Sequence, residues 1–219
     1  GLTVELQYSV LEELDALTRS MRLVNAGREN LTLTYMQSAS VPLYGCDYDY
    51  INLNGGWARE RAVCRNPVGH ATVRVESQRG ASGHEQSPFI AVCEKAATEH
   101  NGSVWAMALV YSGSFLAAAE VNNFDNTRIS IGLNPEVCRW RLEPKETFQT
   151  PEAIMVYSGE GLNGMSQRFH NVIRRRIVRG VWRVKARPIL LNNWEATYFG
   201  FNEELLVKIA EGAKNIGAE

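Results

Sequence analysis

Apolar and polar residues alternate along most of the first 158 residues of the chain. Every second residue from Leu2 to Val10 is apolar, and Ala71, Val73 and Val75 repeat the pattern. A period of two is typical of half-buried β-strands. Turn-forming sequences such as Asn54-Gly55-Gly56 separate these segments, and no amphipathic helix intervenes. The pattern predicts an antiparallel β-sandwich of many short strands.

Two later segments depart from this alternation. The run from Val104 to Tyr111 is apolar at almost every position, which predicts a central strand covered on both faces. After Gly161 the period changes, because Met165, Phe169 and Ile177 are spaced for one face of a helix. We therefore expect a helix from about residue 163 to residue 179.

The last third of the chain predicts one βα unit. The apolar segment from Arg187 to Trp194 has the composition of a buried strand. A helix should follow, with Asn202 as its N-cap and the apolar residues Leu205, Leu206, Ile209, Ala210 and Ala213 on one face. A parallel strand needs parallel neighbours, so this segment either joins the edge of the sandwich or begins an α/β barrel. The expected divisions are a partial sandwich over residues 1–160, a helical linker over 161–186 and the βα unit over 187–219.

Composition narrows the classes of function. The 219 residues carry 23 basic and 24 acidic side chains, a net charge of -1, so no overall field attracts nucleic acid or an anionic membrane. No apolar run approaches the roughly 18 residues of a membrane-spanning helix. The four cysteines form no C-x-x-C pair, and the first residues do not resemble a secretion signal. We expect free thiols, a cytoplasmic protein, and no nucleic-acid or membrane partner.

Candidate metal and cofactor sites are weak. The four histidines occur without metal-ligand spacing, which predicts no metal site. Residues 159–164 fit the G-x-G-x-x-G pattern and precede a predicted helix, as in a dinucleotide-binding loop. However, the strands before them are antiparallel in pattern, and no aspartate follows Asp125 to bind a ribose. We expect no cofactor, and interpret the glycines as a linker.

The strongest candidate site surrounds Trp194. This tryptophan lies beside Asn193 and Glu195 at the C-terminal end of the predicted parallel strand. In barrel enzymes that end of the strands faces the active site. An aromatic face packs against the apolar side of a pyranose, and neighbouring polar groups bind its hydroxyls. The residues therefore indicate a sugar-binding site.

Several long motifs identify a family. The segment from Arg187 to Leu206, RPILLNNWEATYFGFNEELL, resembles the start of the catalytic barrel in bacterial α-galactosidases of glycoside hydrolase family 36. Upstream, NGGWARE at residues 54–60, SQRGASGHEQSPF at 77–89 and the segment 148–170 also resemble family motifs. The resemblance covers nearly the whole chain. Three positions depart from the family pattern: Gly200 replaces a usual Asp, Ser87 a usual Asn and Lys145 a usual Gly.

The resemblance implies a specific architecture and function. The chain would comprise the latter part of an N-terminal β-supersandwich, a linker helix and the first βα unit of a (β/α)8 barrel. The family hydrolyses terminal α-galactosyl residues, with an Asp nucleophile and an Asp acid/base on later barrel strands. The chain would therefore be the non-catalytic N-terminal scaffold of a retaining α-galactosidase and contain no catalytic residue. Trp194 matches a wall of the family's galactose pocket, and Asn193 and Glu195 match neighbouring motif positions.

Two further expectations remain open at this point. The resemblance implies that the galactoside binds through the complete barrel and that copies associate into a homo-oligomer through the sandwich. The alternative is a self-contained β-sandwich module for carbohydrate binding or assembly, without hydrolytic activity. These alternatives differ in whether further βα units carrying two acidic residues accompany the chain.

Overall fold

The computed structural model describes residues 1–218, which form two compact units, residues 1–172 and 173–218. The first unit holds every strand and one α-helix; the second unit holds two α-helices. The strands are β1 (Leu2–Leu11), β2 (Ala16–Asn25), β3 (Leu31–Leu33), β4 (Gln37–Leu43), β5 (Tyr48–Gly56), β6 (Arg59–Pro67), β7 (Val73–Glu76), β8 (Phe89–Glu94), β9 (Val104–Leu109), β10 (Phe115–Val121), β11 (Thr127–Leu133), β12 (Trp140–Leu142), β13 (Thr147–Gln149) and β14 (Ala153–Ser158). The helices are α1 (Gly161–Val172), α2 (Trp194–Thr197) and α3 (Glu203–Asn215).

The predicted antiparallel sandwich is confirmed. An eight-stranded sheet runs in the order β1, β2, β14, β9, β8, β5, β6, with β13 also paired to β2. A four-stranded sheet, in the order β4, β11, β10, β7, packs against it, and β3 pairs with β12. All pairs of these strands are antiparallel. Several neighbouring strands are also consecutive in the chain and are joined by turns, which explains the frequent turn-forming sequences between the predicted strands.

Strand β9 lies in the middle of the large sheet and is covered on both faces, as its continuous apolar sequence predicts. Met107 and Leu109 belong to the core between the two sheets, where Phe115 is fully buried. Val104 and Ala106 belong to a second core under α1. Because both faces of β9 are buried, apolar residues are favoured on both, and the sequence does not alternate between apolar and polar residues.

Helix α1 supplies the second layer on the large sheet. Met165, Phe169 and Val172 are buried against it, and the Phe169 ring meets the Phe89 ring edge-on with centroids 5.7 Å apart. The helix was predicted to extend to residue 179, but the α-helix α1 ends at Val172. The chain continues through a wider π-type turn at Ile173–Ile177, and a 3-10 turn follows at Val181–Arg183.

Half-burial of β1 is a prediction that the structure contradicts. The alternate apolar side chains from Leu2 to Val10 are 43% to 71% exposed. The small sheet makes its main contacts with β2, β8 and β9, so the apolar face of β1 stays uncovered in this chain. The alternation correctly predicts a strand, but burial also depends on which element lies opposite.

The second unit confirms one prediction and corrects another. Asn202 caps α3, since its side-chain oxygen accepts a hydrogen bond from the Leu205 amide at 2.9 Å. The predicted strand from Arg187 to Trp194 does not form; residues 187–193 have no strand pairing. A strand requires a neighbour to hydrogen-bond its backbone, and no described strand supplies one. Leu190, at the centre of this segment, is 86% exposed. Within residues 1–218 no helix has the length and hydropathy needed to cross a membrane.

Candidate functional site

Local hydrogen bonds shape the loop that carries Trp194. The Asn192 side-chain oxygen accepts from the Trp194 amide at 2.7 Å, which turns the chain into the short helix α2. The Asn193 amide group donates to the Thr197 hydroxyl at 2.9 Å, and that hydroxyl donates to the Asn193 carbonyl at 3.1 Å. Asn192, Asn193 and Trp194 thus fix the start of α2 through hydrogen bonds with one another and with Thr197.

Three aromatic rings gather around this turn. The Trp194 ring meets the Tyr198 ring at 5.4 Å and the Phe199 ring at 5.0 Å between centroids, both edge-on. Trp194 is 45% exposed and Phe199 is 85% exposed. Each edge-to-face contact covers one face of one ring only, and an uncovered aromatic face can pack against the apolar side of a sugar. We name Trp194, Tyr198 and Phe199 the aromatic cluster.

The structure places the other two predicted site residues at the same turn but in supporting positions. Asn193 bonds to Thr197, as described above. The Glu195 carboxylate accepts a hydrogen bond from the Tyr198 hydroxyl at 3.2 Å. Sequence reasoning omitted Tyr198 and Phe199. A spacing of four residues on a helix could have indicated the contact between Trp194 and Tyr198, whereas Phe199 approaches Trp194 through the non-helical turn at Tyr198.

Glycine at position 200 is not demanded by the backbone. Its φ lies outside the left-handed region, whereas that of Tyr198 is +47°. A Cβ atom at residue 200 would meet only the Thr197 carbonyl oxygen, at 3.3 Å. The aspartate usual in the family would therefore fit with a small shift. The strained position in this turn is Tyr198 and not Gly200.

Each aspartate of the sandwich lies beside a basic side chain. All four aspartates lie in the first unit, and each has a basic partner, on separate elements. A retaining glycosidase needs two carboxyl groups about 5 Å apart that flank the sugar. Among residues 1–218 no group of three His, Cys, Asp or Glu side chains has the arrangement of a metal site. The pairs are Asp15 with Arg168, Asp47 with Lys95, Asp49 with Arg65 and Asp125 with His70.

The glycine-rich segment before α1 makes contacts that leave no phosphate cradle. The Leu162 and Asn163 amides donate to the carbonyl oxygens of Thr98 and Glu99, at 3.0 and 2.9 Å. These are the amides that a dinucleotide phosphate would need. Gly161 has φ +76°, and a Cβ there would lie 2.4 Å from the Thr98 carbonyl oxygen. Glycine at position 161 therefore allows the start of α1 to pack closely against the Thr98 backbone.

Comparisons with known proteins agree with these features. Residues 1–143 match the glycosyl hydrolase family 36 N-terminal domain, and residues 147–219 match melibiase. The chain is 51% identical over 219 residues to alpha-galactosidase AgaA of Geobacillus stearothermophilus. It is 38% identical over 218 residues to alpha-galactosidase Mel36A of Lactobacillus acidophilus. In both cases the match covers 100% of this chain and 30% of the relative.

Solved structures show the same correspondence. The crystal structure of AgaA from Geobacillus stearothermophilus superposes with a TM-score of 0.95 over 100% of this chain and 30% of that one. A variant of the same enzyme was solved in complex with raffinose, with a TM-score of 0.94 at 51% identity. The alpha-galactosidase from Lactobacillus brevis superposes with a TM-score of 0.95 at 40% identity. The chain thus corresponds to somewhat less than a third of each relative.

Proposed function

Because the chain belongs to glycosyl hydrolase family 36, we propose that it is the N-terminal scaffold of a retaining α-galactosidase, which hydrolyses terminal α-galactosyl residues of the melibiose and raffinose type. The chain supplies the latter part of the β-supersandwich, the linker helix and the first βα unit of the catalytic barrel. The divisions are residues 1–160, 161–186 and 187–219.

One observation carries the proposal. Two family matches follow each other in a single chain, the N-terminal domain over residues 1–143 and melibiase over residues 147–219. The sandwich is thereby connected to a segment in which Leu190 and the aromatic cluster stand exposed. An apolar segment without strand partners fits a first barrel strand whose neighbours lie in the remainder of a longer enzyme.

Trp194 is the residue to which we assign substrate contact. In this proposal its ring forms one wall of the galactose pocket at the C-terminal end of the first barrel strand. Asn193 holds Thr197 and Glu195 holds Tyr198, so both keep the tryptophan in position. The catalytic carboxylates come from later barrel strands, and the 219-residue chain alone has no hydrolytic activity.

The same proposal covers the setting of the enzyme. We assign it to the cytoplasm, with copies associating through the sandwich, and with galactosides as the substrates of the complete barrel. The uncovered apolar face of β1 supports an additional contact on the sandwich, since exposed side chains such as Val10, at 71% exposure, lose apolar area from water when covered.

Turnover of a nitrophenyl α-galactoside tests the proposal. The 219-residue chain and the longer protein that contains it are assayed in parallel, and only the longer protein should release nitrophenol. Turnover by the 219-residue chain would contradict the scaffold assignment. If neither protein is active, the self-contained carbohydrate-binding or assembly module becomes the better interpretation.

Trp194 is tested in the longer, active protein. Loss of one aromatic packing contact costs about 0.5–1.5 kcal/mol, so Trp194→Ala should lower kcat/KM about two- to tenfold. Trp182→Ala is the matched control, because Trp182 lies in the same unit with a similar 41% exposure. Equal effects of the two substitutions would contradict a pocket role for Trp194.

A further inference from the structure

The outer face of the four-stranded sheet carries a trough that the proposed galactosidase does not use. Strand alternation places Ala117, Ala119 and Ile131 in the core, so the residues between them point to the opposite face. An open depression of about 670 Å³ lies on that face, a volume within the range of small-ligand pockets.

Cross-strand register explains why the face is concave. Ser40 is paired with Ser130, Ser130 with Ala118, and Ala118 with Arg74, which makes one row across all four strands. Ser40, Ser130 and Ala118 have short side chains, whereas strand positions usually favour larger β-branched or aromatic residues. Longer side chains on both sides stand above the row, and the row therefore forms a floor.

The walls present polar groups of both charges. In the adjacent row Arg128 is paired with Glu120, and the Thr72 hydroxyl donates to the Glu120 carboxylate at 2.8 Å. Arg74 binds Glu76 at 2.9 Å, which holds its guanidinium at the rim. Within residues 1–218 no carboxylate lies in ion-pair range of Arg128, which leaves its donors available to a ligand.

A buried amide supplies an independent sign of a ligand. Gln37 lines the trough and is only 9% exposed, and its side-chain nitrogen donates to the Leu133 carbonyl at 3.3 Å. Its side-chain oxygen has no hydrogen-bond partner. An unsatisfied buried acceptor is costly, and because this oxygen is covered from solvent, the Gln37 side chain would shift to meet a ligand hydroxyl at the floor of the trough.

We propose that this trough binds a short neutral oligosaccharide. Sugar hydroxyls both donate and accept hydrogen bonds, so they can pair with Arg128, with Glu120 and with the Gln37 oxygen. Tyr35, 63% exposed at one end, offers a ring against which a pyranose can pack. A polyanion would meet Glu120 and Glu136, and an apolar ligand would leave these polar groups unpaired.

Titration of the 219-residue chain with raffinose, followed by the amide signals of Ser40, Ala118 and Ser130 in NMR, tests the proposal. These signals should shift and saturate together. Ser130→Tyr fills the floor with a residue that strands favour and should abolish the shifts. Arg128→Ala removes an exposed charged donor and should weaken binding about tenfold. Thr3→Tyr, on the exposed polar face of β1, is the matched control and should bind as the unchanged chain does.

Trp194→Ala separates this site from the galactosidase pocket. Binding at the trough should be unchanged in this variant, even if the longer enzyme loses activity. The proposal is overturned if no trough signal saturates, if Ser130→Tyr binds normally, or if Trp194→Ala abolishes the shifts. A change of oligomeric state in Ser130→Tyr, measured by light scattering, would also overturn it, because the face would then be a contact between copies.

Discussion

The turn between β12 and β13 holds Lys145 in a conformation that suits glycine, and Lys145→Gly should stabilise the protein. Pro144 precedes Lys145, whose φ is +68°, and the Glu146 amide donates to the Glu143 carbonyl at 3.0 Å. These are the features of a type II turn, in which the third residue favours glycine. The Lys145 amide also donates to the Asn25 carbonyl at 2.8 Å, so the turn is held in place.

The magnitude follows from two opposing effects. A left-handed conformation costs an L-residue about 1–2 kcal/mol, whereas the extra freedom of glycine in the unfolded chain costs about 0.5–1 kcal/mol. The midpoints of these two ranges differ by about 0.75 kcal/mol, so the net gain in the free energy of unfolding should be about 0.5–1 kcal/mol. For a chain of this size the melting temperature should rise by about 1–4 °C.

Urea unfolding followed by tryptophan fluorescence measures the change, with Lys145→Ala as the matched control. Alanine removes the charge and the long side chain but retains the Cβ atom that makes the left-handed region unfavourable. Lys145→Ala should therefore stay within about 0.5 kcal/mol of the unchanged protein, the size of a surface charge effect. The reasoning is refuted if Lys145→Gly is no more stable than Lys145→Ala.

Three further substitutions probe the packing of the sandwich. Gly132→Ala would bring a Cβ within 2.5 Å of the Gln37 Cα, and should lower the free energy of unfolding by about 1–3 kcal/mol; unchanged urea stability would contradict this close approach. The buried Ser87 hydroxyl has no partner, so Ser87→Ala should leave stability within about 0.5 kcal/mol, and a larger loss would reveal a bond to that hydroxyl. Burial raises the pKa of the Cys93 thiol above its ordinary 9.0, so the folded state keeps a proton that the unfolded chain releases and stability falls as pH rises above about 9. Cys93→Ala should make that alkaline decline shallower in urea titrations at several pH values; an identical slope would exclude the thiol as its source.

The proposed site illustrates how far local sequence information reaches. Trp194 and its neighbours were identifiable because a polar cluster around a tryptophan follows an apolar segment. The Asn202 cap was predictable for a similar reason, since its hydrogen bond joins residues three positions apart. The contacts of Trp194 with Tyr198 and Phe199 were not predicted, because they depend on the tight turn of α2.

By itself, the sequence determined the class of structure. Alternation of apolar and polar residues specified strands, turn-forming residues specified the turns, and the change of period after Gly161 specified a helix. Local geometry suffices for these features because each depends on residues close together in the chain. Only the tertiary structure decided what each face meets. It leaves the β1 side chains from Leu2 to Val10 exposed, leaves residues 187–193 without strand partners, and aligns Ser40, Ser130 and Ala118 into a floor. Burial, pairing and register are relations between distant segments, and the order of residues along one segment cannot fix them.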